Sequence, residues 1–233
     1  NGFLFTFAYT KGKLISDSLN TPVNWNLEQN DIGYQDGLYN RRVNKSIDPL
    51  DVSQRGVINV VYELPFGKGK MWSPSNAALQ KVVGGWQVSS IGQMQTGQPL
   101  MIRGASNQMA NRPNSTGVSA SIDNPTRQQW FDTTAFVNPP DFTFGNVGRT
   151  LPDVRAPGTV NWDVSMIKNT SITERINLQF RAEAFNFLNH VNLGLPNVSF
   201  SPGTDGKNRS ATFGTITSAR DARSIQFGMK VIF

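Results

Sequence analysis

The 233-residue chain contains no cysteine and a single histidine, and only 16% of its residues are charged. Without cysteine it has no disulfide scaffold, no thiolate zinc site and no iron–sulfur cluster. His190 has no second histidine with which to build a His-rich metal centre, and most histidine-dependent catalytic sites are disfavoured as well. The sequence offers no set of nucleophile, base and orienting residue. We therefore expect no catalytic residues, no metal and no cofactor, and a protein that is not an enzyme.

Long hydrophobic runs are missing too. No window reaches the 18 or more apolar residues that a transmembrane helix needs, which excludes a helical membrane protein. A transmembrane β-strand needs only about 9–11 alternating residues, so this class stays open. The net charge of +6 comes from scattered basic residues rather than from a stripe, and we expect no nucleic-acid partner.

What the chain does contain is period-two alternation of apolar and polar residues, which indicates β-strands with one apolar face. In the first of these segments Phe3, Phe5 and Phe7 share one face, and Leu4 and Thr6 share the other. Six strands are predicted, over residues 2–13, 55–65, 85–99, 159–171, 175–188 and 223–233.

The connections between these strands alternate in length. They cover residues 14–54, 66–84, 100–158, 172–174 and 189–222. Successive turns of an antiparallel sheet lie at opposite ends, so one end collects the long loops and the other collects the shorter connections. This asymmetry is typical of outer-membrane β-barrels, which have long extracellular loops and short periplasmic turns. In the second connection we expect a short helix over Ala77–Val83, capped by Ser75 or Asn76.

The number of strands bears on the size of the barrel. Six strands cannot close one, because the smallest bacterial barrels have eight. The first predicted strand is already under way at Gly2, and the sixth ends at Phe233 on the predicted periplasmic side. We therefore expect an all-β, antiparallel transmembrane segment, residues 1–233, which is the C-terminal portion of a larger barrel whose earlier strands lie upstream.

Several segments resemble TonB-dependent outer-membrane transporters. NWDVSMIKNTSITERINLQFRAEAFNFLNHVNLGLPN, residues 161–197, and FGTITSARDARSIQFGMKVIF, residues 213–233, are similar to the C-terminal end of their barrels. Three further segments resemble the Oar-like group, in which a carboxypeptidase-regulatory-like domain precedes the plug. They are RGVINVVYELPFGKGK at 55–70, GGWQVSSIGQMQTGQPL at 84–100 and WFDTTAF at 130–136.

This resemblance implies a barrel of about 22 strands around an N-terminal plug. It implies an outer-membrane receptor for TonB-energised uptake of a large nutrient: a siderophore, cofactor, oligosaccharide or peptide. The expected location is the outer membrane of a Gram-negative, acidobacterial cell. The expected partners are the TonB complex through the missing N-terminal part, the barrel-assembly machinery, outer-membrane lipid and lipopolysaccharide, and the nutrient.

The last strand has the clearest role implied by the resemblance. Its apolar positions and final aromatic resemble the signal that the barrel-assembly machinery reads by edge pairing. The same residues can also face lipid, and the two roles are compatible. They are Ile225, Phe227, Met229, Val231 and Phe233.

Polar residues opposite the apolar stripes are predicted to face the barrel interior: Asp163, Arg181, Glu183 and Lys230. We favour structural pairing of these residues over a direct role in the substrate path. Lys168 shares the apolar face and is expected to extend its ammonium group to the membrane edge.

Aromatic residues fall into two groups. Those near strand ends are expected to form girdles at the membrane interfaces: Tyr62, Trp72, Trp86, Trp162, Phe185 and Phe187. Those in the long loops are candidates for ligand contact, although packing within the loops is the favoured interpretation: Trp25, Tyr34, Tyr39 and Trp130.

One alternative from another class remains, a secreted soluble β-sandwich that binds carbohydrate through its loop aromatics. A sandwich buries two apolar faces against each other in a closed core. A barrel instead directs its apolar stripes to lipid, and on that hypothesis we expect the apolar residues to need no internal core.

Overall fold

The computed structural model describes residues 2–17, 40–104 and 112–233. Six long strands pair in chain order in one antiparallel sheet, which confirms the six predicted strands. The first and last strands form the two edges of this open sheet. The strands are β1 (Phe3–Lys11), β2 (Gln54–Glu63), β3 (Trp86–Gln95), β4 (Thr159–Ser171), β5 (Asn177–Phe185) and β6 (Ser224–Ile232).

The register of the sheet separates an apolar face from a polar face, because successive residues of a strand point to opposite sides. An apolar row crosses all six strands through Phe3, Tyr62, Val88, Met166, Ala182 and Phe227. A polar row beside it runs from β3 to β6 through Ser89, Ser165, Glu183 and Gln226. The alternation read from the sequence is therefore kept across the whole sheet.

The connections are arranged as the sequence predicted. Residues 12–53, 96–158 and 186–223 leave the sheet at one end, here called the long-loop end. Residues 64–85 and 172–176 connect strands at the other, the short-turn end.

A short helix of about two turns lies at the short-turn end. The helix, α1, spans Ala77–Val83, as the sequence predicted. The side chain of Asn76 accepts hydrogen bonds from the backbone N–H groups of Ala78 at 2.8 Å and Leu79 at 3.2 Å, so Asn76 is its N-terminal cap.

Lys168 connects β4 to the other end of this helix. Its Nζ lies 5.1 Å from the centre of the Trp86 ring and donates to the carbonyl oxygens of Lys81 at 2.8 Å and Gly84 at 2.6 Å. The aliphatic stem thus stays on the apolar face while the ammonium group satisfies carbonyls at the helix C-terminus.

The buried apolar core lies in the long loops. Four phenylalanines form its centre, with the Phe213 ring packed edge-to-face at 5.0 Å from Phe131 and 5.8 Å from both Phe136 and Phe200. We call the complete set the loop core: Leu100, Ile102, Ala120, Phe131, Ala135, Phe136, Val147, Leu151, Val154, Ala156, Val198, Phe200 and Phe213. The expectation that no internal core is needed was wrong, because residues 100–102, 120–156 and 198–213 bury apolar surface against each other.

Short elements organise these loops without extending the main sheet. The strand Ile15–Ser16 pairs with Ser46–Ile47, and Asn114–Ser115 pairs with Phe136–Val137. Two 3₁₀ helices cover Arg41–Asn44 and Thr133–Ala135.

Buried ion pairs fasten the first long loop to the second. Asp51 accepts from Arg155 Nη2 at 2.5 Å, and Arg149 Nη2 lies 3.9 Å from Asp48. Arg155 also donates to the carbonyl oxygen of Gly97 at 3.0 Å. We call the packed loops, residues 12–17, 40–53, 96–104, 112–158 and 186–223, the loop assembly.

The soluble β-sandwich alternative is wrong for the described residues. Apart from the six-stranded sheet they contain two sheets of two short strands each, so no second large sheet packs against the apolar face. Among the described residues, no helix has the length and apolar character that crossing a membrane would require.

Candidate functional site

A polar pocket of about 400 Å³ opens on the polar face at the long-loop end. The strands and the loop assembly both contribute to its wall. It is lined by Thr159, Asn161, Asp163, Phe185, Asn186, Asn192, Arg220, Asp221, Ala222 and Ser224.

Asp163 is the charged group that β4 supplies to this pocket. Its Oδ1 accepts from Asn161 Nδ2 at 2.9 Å and from the backbone N–H of Asn186 at 2.9 Å. The carboxylate therefore joins β4 to the start of the loop that follows β5, and its position is fixed by that loop.

Asn186 begins that loop with a positive φ of 48°, a conformation that asparagine tolerates better than most residues. Its side chain accepts from the backbone N–H of His190 at 3.0 Å and donates to the carbonyls of His190 at 3.0 Å and Asp221 at 3.3 Å. The asparagine thus closes a turn and ties it to the segment that leads into β6.

Asn192 anchors the same loop to β4. Its Oδ1 accepts from the backbone N–H of Val160 at 2.8 Å, and its Nδ2 donates to the Val160 carbonyl at 2.9 Å. The side chain makes the pair of bonds that a neighbouring strand would make. The backbone of Asn192 in turn accepts from Arg220 N at 2.8 Å, which holds the opposite wall of the pocket.

The other predicted interior residues lie on the same polar face, further from the loops. Glu183 accepts from Gln226 Nε2 at 2.6 Å, and Arg181 Nε donates to Gln179 at 2.8 Å. Lys230 lies opposite Gln179 near the short-turn end. Within the described part of the chain no salt bridge joins two of the four predicted charged residues, and amide side chains are hydrogen-bond partners of Asp163, Arg181 and Glu183.

Of the four aromatic residues predicted to contact ligand from the loops, the structure describes one. Trp130 packs against the loop core and donates its indole N–H to the Arg155 carbonyl at 2.7 Å. Trp25, Tyr34 and Tyr39 lie outside the described residues.

The predicted assembly residues of the last strand share one exposed face: Ile225, Phe227, Met229, Val231 and Phe233. Among the predicted girdle residues, Tyr62 and Trp86 lie at the short-turn end of the apolar face. Phe185 was placed wrongly, because its register puts it on the polar face with Glu183, where it lines the pocket.

Sequence reasoning missed Asn186, Asn192 and Arg220. A usable signal was present, since asparagines recur at positions 186, 189 and 192, at the end of the predicted strand 175–188 and just beyond it, and asparagine favours turns and left-handed backbone. Asn189 also has a positive φ, of 50°.

The pocket is equipped for binding. It offers amide groups, a guanidinium group and carboxylates, which suit a polar ligand with hydrogen-bonding groups. Among residues 2–17, 40–104 and 112–233, no group of three or more His, Cys, Asp or Glu side chains is placed to hold a metal ion.

Comparison with known families identifies the class of protein to which this sheet belongs. A family model described as an outer membrane beta barrel domain matches residues 1–226. The chain belongs to this family. No curated protein and no solved structure matches the chain.

Membership in this outer membrane beta barrel family places the protein in the outer membrane. In such barrels the apolar side of the wall meets lipid, the polar side lines the barrel interior, and the long loops are extracellular. Trp162 fits this assignment, because its indole N–H on the apolar face donates to Ser90 Oγ at 2.6 Å and leaves no unsatisfied donor toward lipid. The Asp163 pocket lies on the polar face of the sheet, beside the loop assembly.

Proposed function

We propose that this chain is the C-terminal part of the barrel of a TonB-dependent transporter of the Oar-like group. The barrel has about 22 strands around an N-terminal plug, and this chain supplies six strands of its wall together with ligand-capturing loops. The protein takes up a large nutrient, a siderophore, cofactor, oligosaccharide or peptide, across the outer membrane of an acidobacterial cell. It is not an enzyme and uses no cofactor.

The observation that carries this proposal is the loop assembly beside a polar interior pocket. Loops packed around their own apolar core form a stable extracellular structure, unlike loops that are merely connections. The Asp163 pocket lies where a ligand held by such loops would next contact the barrel interior.

The open sheet is consistent with a larger barrel. In the hydrocarbon region every strand edge must find a partner, because unpaired backbone groups are costly there. β1 and β6 are both edges of the described sheet, and further strands of the same barrel satisfy them. Before closure, β6 offers its edge to the barrel-assembly machinery through the strand that carries Phe227 and Met229.

The proposed partners follow from these surfaces. The TonB complex acts through the N-terminal part and the plug, and the apolar rows contact outer-membrane lipid and lipopolysaccharide. The ligand contacts the loops and then the interior row from Asp163 through Glu183 and Arg181 to Lys230.

Energised uptake is tested with the full-length protein in cells. Radiolabelled ferric siderophores, cyanocobalamin, maltoheptaose and a pentapeptide serve as the panel of probes, in strains with and without TonB. We expect uptake of one probe to depend on both the protein and TonB, and purified full-length protein to bind the periplasmic domain of TonB. Uptake that is independent of TonB, or steady open-pore conductance in planar bilayers, would overturn the proposal.

The interior pocket is tested in the same assay. Asp163→Asn removes the charge but keeps the shape of the side chain, and we expect uptake of the transported probe to fall by about tenfold, the effect of losing one charged contact. Glu174→Gln at the exposed short-turn end makes the same chemical change away from the pocket and is expected to leave uptake unchanged. Equal uptake by both variants would remove Asp163 from the ligand path.

A further inference from the structure

A second and larger cavity, of about 650 Å³, lies outside the barrel interior. Its wall is made by residues that share the apolar face of β1 to β4: Phe7, Tyr9, Ile58, Met94 and Val160. We call it the outer groove. It opens toward lipid, at the long-loop end of the sheet.

The floor of the outer groove is Gly56. It pairs with Tyr9 on one side and with Met94 on the other, so a glycine interrupts an otherwise continuous row of large side chains. A Cβ built at Gly56 would meet no atom within 4 Å. The glycine is therefore not required by crowding, and the missing side chain leaves an open space in the lipid-facing wall.

The loop assembly closes the groove at its extracellular end. Gly97 lies so near the Ala156 and Pro157 carbonyls that a Cβ there would overlap the Ala156 oxygen. Ala156 N donates to the Gln98 carbonyl at 2.8 Å, and Arg155 is held by Asp51. The groove is thus bounded by fixed backbone rather than by a loose loop.

The occupant follows from where the groove opens. The apolar face of an outer-membrane barrel meets lipid, and its extracellular end meets the outer leaflet, which is built of lipopolysaccharide. Water finds few hydrogen-bonding partners in this groove and is therefore bound weakly there. An acyl chain in the groove buries both its own apolar surface and that of the groove wall. A volume of about 650 Å³ lies within the range of about 300–1,000 Å³ that is usual for ligand sites.

Basic side chains lie beside the groove at the level of lipid phosphates. Lys11 follows Tyr9 on the same face of β1 and pairs with Gln54 at the rim, and Lys13 is exposed two residues later. The guanidinium of Arg155 is already neutralised by Asp51. Arg55 also lines the groove, but its register places it on the opposite face of β2, where its guanidinium donates to Gln93 at 3.3 Å. The two lysines are therefore the cations on the groove's own face that complement a phosphate beside it.

We propose that the outer groove is a binding site for one acyl chain of lipopolysaccharide, with Lys11 and Lys13 beside the phosphate groups of its lipid A. The proposal rests on the outer-membrane family of the chain and holds whether or not the protein is a TonB-dependent transporter. The bound lipid packs against β1 to β4 just below the loop assembly.

The test uses full-length protein purified from outer membranes, with purified lipopolysaccharide as the probe and native mass spectrometry as the readout. Gly56→Leu places an apolar side chain in the groove at a position where the added Cβ meets no atom within 4 Å. The matched control is Gly228→Leu, another strand glycine whose added Cβ would meet nothing within 4 Å, but on the interior face. We expect Gly56→Leu to bind lipopolysaccharide about tenfold more weakly and Gly228→Leu to bind it as the wild type does.

Two further measurements do not depend on a groove-filling variant. Lys11→Gln with Lys13→Gln should weaken binding and remove its dependence on salt. A photo-crosslinking residue at position 94 should capture lipopolysaccharide in cells, and the same residue at position 91, an exposed site on the interior face, should not. The proposal is overturned if Gly56→Leu binds lipopolysaccharide undiminished, if position 91 crosslinks as well as position 94, or if phosphatidylglycerol vesicles compete equally for the groove.

Discussion

At the scale of single residues, the most informative group is Asp51. Its side chain is only 2% exposed and accepts from Arg155 and from the backbone N–H of Leu14. Asp51→Asn leaves the guanidinium without its counter-charge, and breaking a buried pair costs about 3–5 kcal/mol. Because the Arg155 side chain is 24% exposed, we expect a loss near 3 kcal/mol, measured as faster proteolysis of the loop assembly on intact cells.

The matched control is the exposed pair of Arg209 and Asp205 in the last long loop, with side chains 64% and 41% exposed. The backbone N–H of Lys207, and after it the Arg209 guanidinium, hold the pKa of Asp205 below its usual value. The stabilisation is therefore present above the unfolded carboxyl's pKa and is lost as the pH falls through the lower folded value. At neutral pH Arg209→Gln should leave proteolysis unchanged, and equal effects of the two variants would argue against a special role for Asp51.

A second prediction at this scale concerns the centre of the loop core. Phe213 is 4% exposed and touches three other phenylalanine rings. Phe213→Ala should destabilise the loop assembly by about 3–5 kcal/mol through lost burial and the cavity left behind. Phe142→Ala changes a loop phenylalanine that is 69% exposed and should have little effect in urea unfolding followed by tryptophan fluorescence. Similar losses for both would mean that the loop core does not hold the loops together.

At the scale of elements, the two faces of β6 give a direct test of its environment. Phe227→Lys places a charge on the lipid-facing side, which costs about 2–4 kcal/mol near the middle of the membrane. Gln226→Lys makes a comparable change one residue away, on the interior side next to Glu183. We expect only Phe227→Lys to reduce the heat-modifiable folded form on gels. The opposite order would reverse the assignment of the two faces.

The strands were predictable from sequence because alternation is a local signal. Each strand repeats apolar and polar residues over nine or more positions, and its pairing keeps the two sets apart. The helix Ala77–Val83 was predictable for the same reason, since Asn76 caps it from the adjacent position. The loop core was not predictable, because Phe131 and Phe213 meet from distant, aperiodic segments whose contact depends on the folded sheet.

The candidate site also has one part that local sequence patterns predict and another that depends on contacts between distant segments. The face of Asp163 follows from its place in the alternation of β4, which is local. The wall that Asn192 completes depends on its side chain replacing a missing strand partner for Val160. The wall that Asn186 completes depends on its bonds to His190 and Asp221. Only the turn tendency of asparagine is visible in the sequence, not the strand to which each side chain binds.

At the scale of the whole molecule, the loop assembly and the sheet depend on each other. The three long loops join β1 to β2, β3 to β4 and β5 to β6, so packing them together fastens all three pairs of strands at the long-loop end. At the short-turn end the corresponding link is smaller, a salt bridge of 2.9 Å from Lys70 to Glu63 and the contact of Lys168 with the helix. Unfolding should therefore begin at the short-turn end.

The orientation of the whole molecule gives the last prediction, and the absence of cysteine from this chain makes it simple to test. Gln128 lies exposed in the loop assembly, and Glu174 lies exposed in the turn between β4 and β5. Because long loops are extracellular and short turns periplasmic, a membrane-impermeant maleimide should label Gln128→Cys on intact cells. Glu174→Cys should react only after the outer membrane is permeabilised. Labelling of Glu174→Cys on intact cells, with Gln128→Cys protected, would invert the barrel and place the Asp163 pocket on the periplasmic side.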